Sequence, residues 1–154
     1  MKKRIKTQVL IVGGGVTGAS VLRDLTLRGI HGILVEKKDM NAGASGANHG
    51  LLHSGARYVA YDLEAAAECQ SESEILKRTA SRYIENTGGL FVAVKGDDEQ
   101  YIADFPHFCS KANILAEELT LDHARALEPS LSKDIIAAYR VNDASVDPFG
   151  LSLK

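Results

Sequence analysis

The sequence predicts an α/β fold that opens with a parallel βαβ unit and continues into part of an antiparallel sheet. Three observations predict it. Val9–Val12 is a continuous apolar run followed at once by glycines and then by a helical pattern. Gly32-Ile33-Leu34-Val35 is a second apolar run, closed by Glu36. Further on, Leu90–Val94, Ile114–Leu119 and Ile135–Val141 are strand-like runs that stand apart from the first pair. Unbroken apolar strands suit a parallel sheet covered on both faces, and a right-handed crossover makes the first two parallel.

The elements follow in order. Gly15 to about Arg28 reads as a helix with Val16, Ala19, Leu22 and Leu25 on one stripe, and Gly29 is its stop. Residues 41–58 are glycine-rich and small, which reads as a long functional loop with at most a short helical turn. Asp62 caps a long helix that the spacing of Ile75, Leu76, Thr79, Ala80, Tyr83 and Ile84 carries to about Glu85. Gly88-Gly89 opens the Leu90–Val94 strand and Gly96 ends it. Asp97 and Asp98 start a helix with Tyr101, Ile102, Phe105, Phe108 and Cys109 on one face, which Pro106 is expected to kink or split. Thr120 caps a brief helix ended by Glu128-Pro129, and Pro148 suits the first turn of a last one.

Composition sets bounds. With 154 residues, 45% of them hydrophobic, the chain can build one ordinary core. A formal net charge of -2 offers no field for nucleic acid. Cys69 and Cys109 lack any CxxC or Cys/His spacing, so neither a disulfide framework nor a metal site is expected, and a reducing, cytoplasmic setting follows. The basic start Met1-Lys2-Lys3-Arg4 precedes too short an apolar run for a secretory signal, and no run has the ~18 apolar residues of a membrane span. Two confident parallel strands are too few for a doubly wound domain, so the expectation is a piece of a longer protein, inactive by itself.

The glycines carry the first chemistry. Gly13, Gly15 and Gly18 fit G-x-G-x-x-G between strand and helix. In that setting the first glycine makes the turn, the second lets the backbone approach a pyrophosphate, and the third lets the helix pack closely. The helix N-terminus adds N–H groups and partial positive charge. Glu36 ends the second strand, where a carboxylate accepts from both ribose hydroxyls of an adenosine and repels a 2′-phosphate, which disfavours NADP.

Residues 41–58 decide between dinucleotides. A nicotinamide enzyme rarely needs a second glycine-rich segment straight after the acidic residue, whereas an extended FAD needs close backbone approach along its ribityl portion. Gly43, Ser45 and Gly46 can supply it, with Ser45 donating to a phosphate or ribityl oxygen.

Several stretches together resemble a known family. They are Gly13-Gly14-Gly15-Val16-Thr17-Gly18, Leu34-Val35-Glu36, Gly43-Ala44-Ser45-Gly46 and His53-Ser54-Gly55-Ala56-Arg57-Tyr58. They are similar to the FAD-dependent glycerol-3-phosphate dehydrogenases, within the wider D-amino-acid-oxidase-like flavoproteins. Asn48 to Tyr58, with Gly89-Leu90-Phe91, Leu127-Glu128-Pro129 and Val146-Asp147-Pro148-Phe149, looks most like the large catalytic subunit of the anaerobic enzymes, of which the chain would be the N-terminal part.

The resemblance implies a Rossmann-like FAD-binding domain start over residues 1–86, part of a substrate-side antiparallel domain over 88–142, and a return to the FAD domain over 143–154. It implies oxidation of sn-glycerol 3-phosphate to dihydroxyacetone phosphate, with electrons passed to a quinone through companion subunits, and a full complex held peripherally on the inner face of the cell membrane. The residues expected to hold FAD are Gly13, Gly14, Gly15, Val16, Thr17, Gly18, Glu36, Lys37, Gly43, Ala44, Ser45, Gly46, His49, Gly50 and Leu51. Arg57 is expected on the substrate, since a guanidinium fork suits a phosphate dianion, with Tyr58 lining the pocket. The catalytic base is left unassigned and expected further along the full-length chain, because loop histidines such as His49 and His53 are more often structural. From the residues alone, an amino-acid or 2-hydroxy-acid oxidase of the same fold and a non-catalytic dinucleotide-binding module stay open; residues 48–58 favour the glycerol-phosphate reading.

Overall fold

The computed structural model describes residues 4–152. Residues 1–3 of the basic start and 153–154 of the last expected segment lie outside them. The chain forms two compact units, one of residues 1–50 with 146–154 and one of residues 51–145.

In the first unit, β1 (Val9–Val12) pairs in parallel with β2 (Gly32–Val35), with Val9 opposite Gly32 and Val12 opposite Val35. Between them runs α1 (Val16–Leu27), with Gly15 at its N-cap. Gly32 makes room for the helix, since a Cβ there would lie 2.9 Å from Leu22 Cδ1. The end of α1 is closed by backbone bonds from Gly29 N–H to Thr26 O and from Ile30 N–H to Leu25 O, a Schellman arrangement at the predicted stop. The predicted stripe is only partly covered. Ala19, Leu22 and Leu25 are half-buried, but Val16, in the first turn, is exposed. The unit ends with α5 (Pro148–Ser152), where proline sits in the first turn as expected.

The second unit is built on an antiparallel sheet. Its centre is β7 (Ile135–Val141), flanked by β5 (Gly89–Val94) and β6 (Ala116–Glu118). Gly89 lies opposite Val141 and Ala116 pairs with Val141 from the other side. Packed with these are α2 (Leu63–Thr79), α3 (Glu99–Lys111) and α4 (Leu121–Leu127). All three have the N-caps the sequence predicts: Asp62 accepts from Ala65 N–H, Asp98 from Gln100 and Tyr101 N–H, and Thr120 from His123 N–H. Phe105, Cys109, Ile114, Tyr139 and Val141 form the core with Ala56, Val59 and Ala66, and Phe105 stacks on Phe91 with ring centroids 5.3 Å apart.

Four expectations need correction. First, α2 stops at Thr79; a 3-10 turn (Ser81–Tyr83) follows, and then β4 (Ile84–Glu85). The helical spacing through Ile84 is a coincidence, because β-branched Ile84 is buried on a strand. Second, the 41–58 loop holds more structure than one turn. It has 3-10 turns at Ala44–Gly46 and Ala56–Tyr58 and a two-residue strand, β3 (Leu51–Leu52), that pairs with β8 (Ala144–Val146). Third, Pro106 does not split α3. A proline at that position cannot bond back to the Ile102 carbonyl, and Tyr139 Oη donates to that carbonyl at 3.1 Å instead. Fourth, the strand expected over Ile114–Leu119 is only Ala116–Glu118, with Ile114 buried ahead of it.

The Tyr139 bond gives a prediction. Tyr139→Phe in the full-length protein should lower stability by about 1 kcal/mol, the net value of one hydrogen bond, and should cost less in a Pro106→Ala background, where the backbone bond to Ile102 can re-form. Denaturant unfolding of the four proteins checks it; equal costs in both backgrounds would show that the hydroxyl does not substitute for the lost helix bond.

Candidate cofactor and active site

The glycine-rich turn of the first unit is built from backbone and one carboxylate. Gly13 has φ +116, a conformation only glycine adopts readily, and its N–H donates to Val35 O at 2.9 Å. Gly14 is buried, and its N–H donates to Glu36 Oε2 at 2.7 Å. Lys38 N–H donates to Glu36 Oε1 at 2.9 Å. These bonds, from Gly14 first and then Lys38, hold the Glu36 carboxyl below its ordinary range, so it is ionised. A carboxylate has about four acceptor sites, so two backbone donors leave room for ribose hydroxyls. Glu36 therefore also ties the second strand to the glycine turn, a role that the sequence does not reveal.

The small-residue loop meets the same helix end. Ser45 Oγ accepts from Val16 N–H at 3.0 Å, leaving its own proton to donate. A Cβ on Gly15 would lie 2.9 Å from that Oγ, so Gly15 makes room for Ser45. A Cβ on Gly18 would collide with the Gly13 carbonyl, which is the helix-packing role predicted for it. Thr17, Lys37, Ala44, His49 and Leu51 are exposed, and Gly46 and Gly50 are half-buried. Asn41, which sequence reasoning passes over, is buried with φ +59; its N–H donates to Gly14 O at 2.9 Å and its Nδ2 to Pro148 O at 3.2 Å. An asparagine before a run of small residues in a loop is the signal for it, since asparagine tolerates that backbone region.

These residues fit a dinucleotide. No acidic side chain occupies the first turn of α1, and its N-cap residue, Gly15, has no side chain to cap it, so the side-chain acceptor at that end is Ser45 Oγ. Gly43 has a negative φ, −106, and no neighbouring atom lies within 4 Å of where its Cβ would be. Crowding by the chain itself does not explain that glycine.

In the second unit, residues 53–58 are anchored by a residue that sequence reasoning does not single out. Asp143 is 9% exposed; its Oδ1 accepts from Ser54 N–H at 2.7 Å and from Ser54 Oγ at 2.6 Å, and its Oδ2 lies 3.0 Å from His53 Nδ1. Burial pushes its pKa up, but the bonds from Ser54 and the hydrogen bond and charge of His53 together outweigh burial and hold it below the ordinary 3.8. Gly55 follows with φ +94, where a Cβ would also collide with the Ala66 carbonyl. Arg57 and Tyr58 sit on the next 3-10 turn, both exposed, and Tyr58 meets the Tyr61 ring edge-on at 6.0 Å. Arg57 takes part in none of the ion pairs among the described residues.

Comparison with known proteins gives the family. The family described as "DAO: FAD dependent oxidoreductase" matches residues 8–153. The chain belongs to the FAD-dependent oxidoreductases. It is 49% identical over 146 residues to a subunit of the anaerobic glycerol-3-phosphate dehydrogenase of Escherichia coli K12, covering 95% of this chain and 27% of that one. It thus spans about a quarter of that relative's length. Among solved structures, glycine oxidase from Bacillus cereus ATCC 14579 is 30% identical with TM-score 0.68 over 96% of this chain and 42% of that one. L-α-glycerophosphate oxidase from Mycoplasma pneumoniae with FAD bound shares the fold at 22% identity, with TM-score 0.80 over 97% of this chain and 41% of that one. The FAD-dependent fold, the cofactor and the likeness to the glycerol-3-phosphate dehydrogenases are as the sequence indicated. No helix among the described residues is long and apolar enough to cross a membrane.

The crowding around these glycines can be tested by filling it. Gly18→Ala should destabilise the flavin-free full-length protein by on the order of 1–3 kcal/mol, the scale of overpacking, while Gly43→Ala should leave it within about 0.5 kcal/mol and weaken FAD. Thermal unfolding with and without FAD separates the two; a Gly43→Ala protein with unchanged FAD affinity would leave that glycine without a ligand. For Asp143, a folded pKa below the unfolded one means its stabilisation is full above 3.8 and is lost as pH falls through the folded value. The stability gap between wild type and Asp143→Asn should therefore narrow below that pH in acid unfolding.

Proposed function

We propose that the full-length protein oxidises sn-glycerol 3-phosphate to dihydroxyacetone phosphate. The likeness to the Escherichia coli dehydrogenase is the observation that carries this reading, and residues 53–58 fit its chemistry. Oxidising the C2 alcohol removes a hydride from carbon and a proton from oxygen. Bound FAD supplies the hydride acceptor. Gly13–Gly18, Gly43–Gly46 and Gly50 would hold it by backbone approach, Glu36 by its ribose, and Val16, Thr17, Lys37, His49 and Leu51 complete that set. Assignment of residues 1–86 and 143–154 to the FAD domain and 88–142 to the substrate side is part of the same proposal.

Arg57 holds the phosphate, with Tyr58 beside it. A short turn between buried Ala56 and Val59 fixes the backbone under an exposed guanidinium, a suitable mount for a dianion. The proton goes to His53. The sequence leaves the base unassigned, with the expectation further along the chain; His53 is preferred here because a histidine held at Nδ1 by a buried carboxylate is equipped as a proton acceptor. Electrons then pass to a quinone through companion proteins. The word "subunit" in the relative's name supports the companions. The quinone and a peripheral place on the membrane rest on the family resemblance.

Anaerobic mixing of the flavin-loaded full-length protein with sn-glycerol 3-phosphate should bleach the flavin absorbance, and glycine or D-amino acids should not. The reverse preference would select the amino-acid oxidase alternative. Arg57→Ala should raise KM for glycerol 3-phosphate by on the order of ten- to a hundredfold with near-normal FAD content, and Arg57→Lys should recover only part of it, for want of the planar fork. Wild-type kinetics in Arg57→Ala would make the arginine structural.

A further inference from the structure

We propose that Asp143 is a positioning residue for proton transfer, fixing His53 as the tautomer whose Nε2 lone pair takes the hydroxyl proton. The inference rests on the reading of His53 just given.

The two carboxylate oxygens divide the work. Oδ1 is taken by both donors of Ser54, at 2.7 and 2.6 Å. Oδ2 faces His53 Nδ1 at 3.0 Å. An ionised carboxylate only accepts, so Nδ1 carries the proton and the neutral ring's lone pair lies on Nε2. The carboxylate is held in place: its side chain is 10% exposed, and a Cβ on Gly89 would lie 2.9 Å from Asp143 Cβ. The His53 side chain keeps 34% exposure, which a proton acceptor for an external substrate requires. Anchoring the loop would need only Ser54; the second oxygen serves the histidine.

In the step itself, the C2 hydroxyl proton passes to His53 Nε2 as the C2 hydride leaves for the flavin and the ketone forms. Asp143 stays ionised beside the imidazolium and offsets its charge, as orienting carboxylates do.

The test is the rate of flavin bleaching by sn-glycerol 3-phosphate in the anaerobic, flavin-loaded full-length enzyme. Asp143→Asn keeps an oxygen for Ser54 but turns an NH₂ toward Nδ1, which favours the wrong tautomer. It should slow bleaching on the order of a hundredfold with little change in the half-saturating substrate concentration. In a His53→Gln background the same change should cost nothing more. An equal loss in both backgrounds, or a loss of saturation rather than of rate, overturns the proposal and leaves Asp143 a loop anchor. If His53→Gln alone bleaches at the wild-type rate, the reading of His53 falls and this inference with it. If His53→Gln is slow and Asp143→Asn is not, the inference alone falls. Should Asp143→Asn fail to fold with flavin, Gly89→Ala, which crowds Asp143, is expected to slow bleaching only when His53 is present; an unchanged rate overturns the proposal.

Discussion

A carboxylate taken out of water has to be given hydrogen-bond donors, and in the 51–145 unit much of the local architecture answers that demand. Asp143 lies just beyond β7 and next to β8, the strand that pairs with β3. Its donors come from the residues straight after β3, His53 and Ser54. Because burial opposes the charge and only these bonds sustain it, the loop cannot drift away without leaving an unpaired buried anion. Gly89, at the head of β5, has no side chain because Asp143 fills that space. One buried charge thus joins the strand ends to the loop that bears His53, Arg57 and Tyr58.

Local pattern made much of this legible. The glycine fingerprint, the two parallel strands, the caps at Asp62, Asp98 and Thr120 and the β7 boundaries are set by chemistry within a few residues, so they can be read in one pass. What escapes reading depends on distant partners. Asp143 and Ser54 are 89 positions apart, and an Asn-Asp pair after a strand looks like any turn. β3 and β8 are two and three residues long, too short for periodicity, and exist because they pair, β8 lying between β3 and β4. Pro106 suggests a break because the residue that satisfies the stranded carbonyl, Tyr139, comes 37 positions from Ile102.

Apart from those with positive φ, such as Gly13, the glycines of the first unit include two kinds that the sequence alone cannot separate. Gly14, Gly15, Gly18 and Gly32 are small because other atoms of the chain crowd them: Met40 and Glu36, Ser45, the Gly13 carbonyl and Leu22. Gly43 is small with nothing of the chain nearby. The first kind belongs to folding and shapes the cradle; the second, under the proposed function, leaves room for what the cradle would hold. Glu36 belongs with the first kind, since the bonds that secure the glycine turn also keep it charged.

The same logic explains how exposed reactive side chains can be held accurately. Arg57 and Tyr58 lie in solvent, where long side chains ordinarily wander and lose entropy on binding. Their backbone does not wander. Gly55 is locked by its left-handed conformation and its contact with the Ala66 carbonyl, Ala56 and Val59 are sunk in the core on either side, and Tyr58 O accepts from Asp62 N–H as that residue caps α2. A net charge of -2 does little to attract an anion, so recognition of the phosphorylated substrate proposed above would have to come from a local cation with a fixed base. A mobile arginine on a mobile loop would lose that ordering entropy at every encounter; a 3-10 turn pinned at both ends confines the cost to the side chain itself.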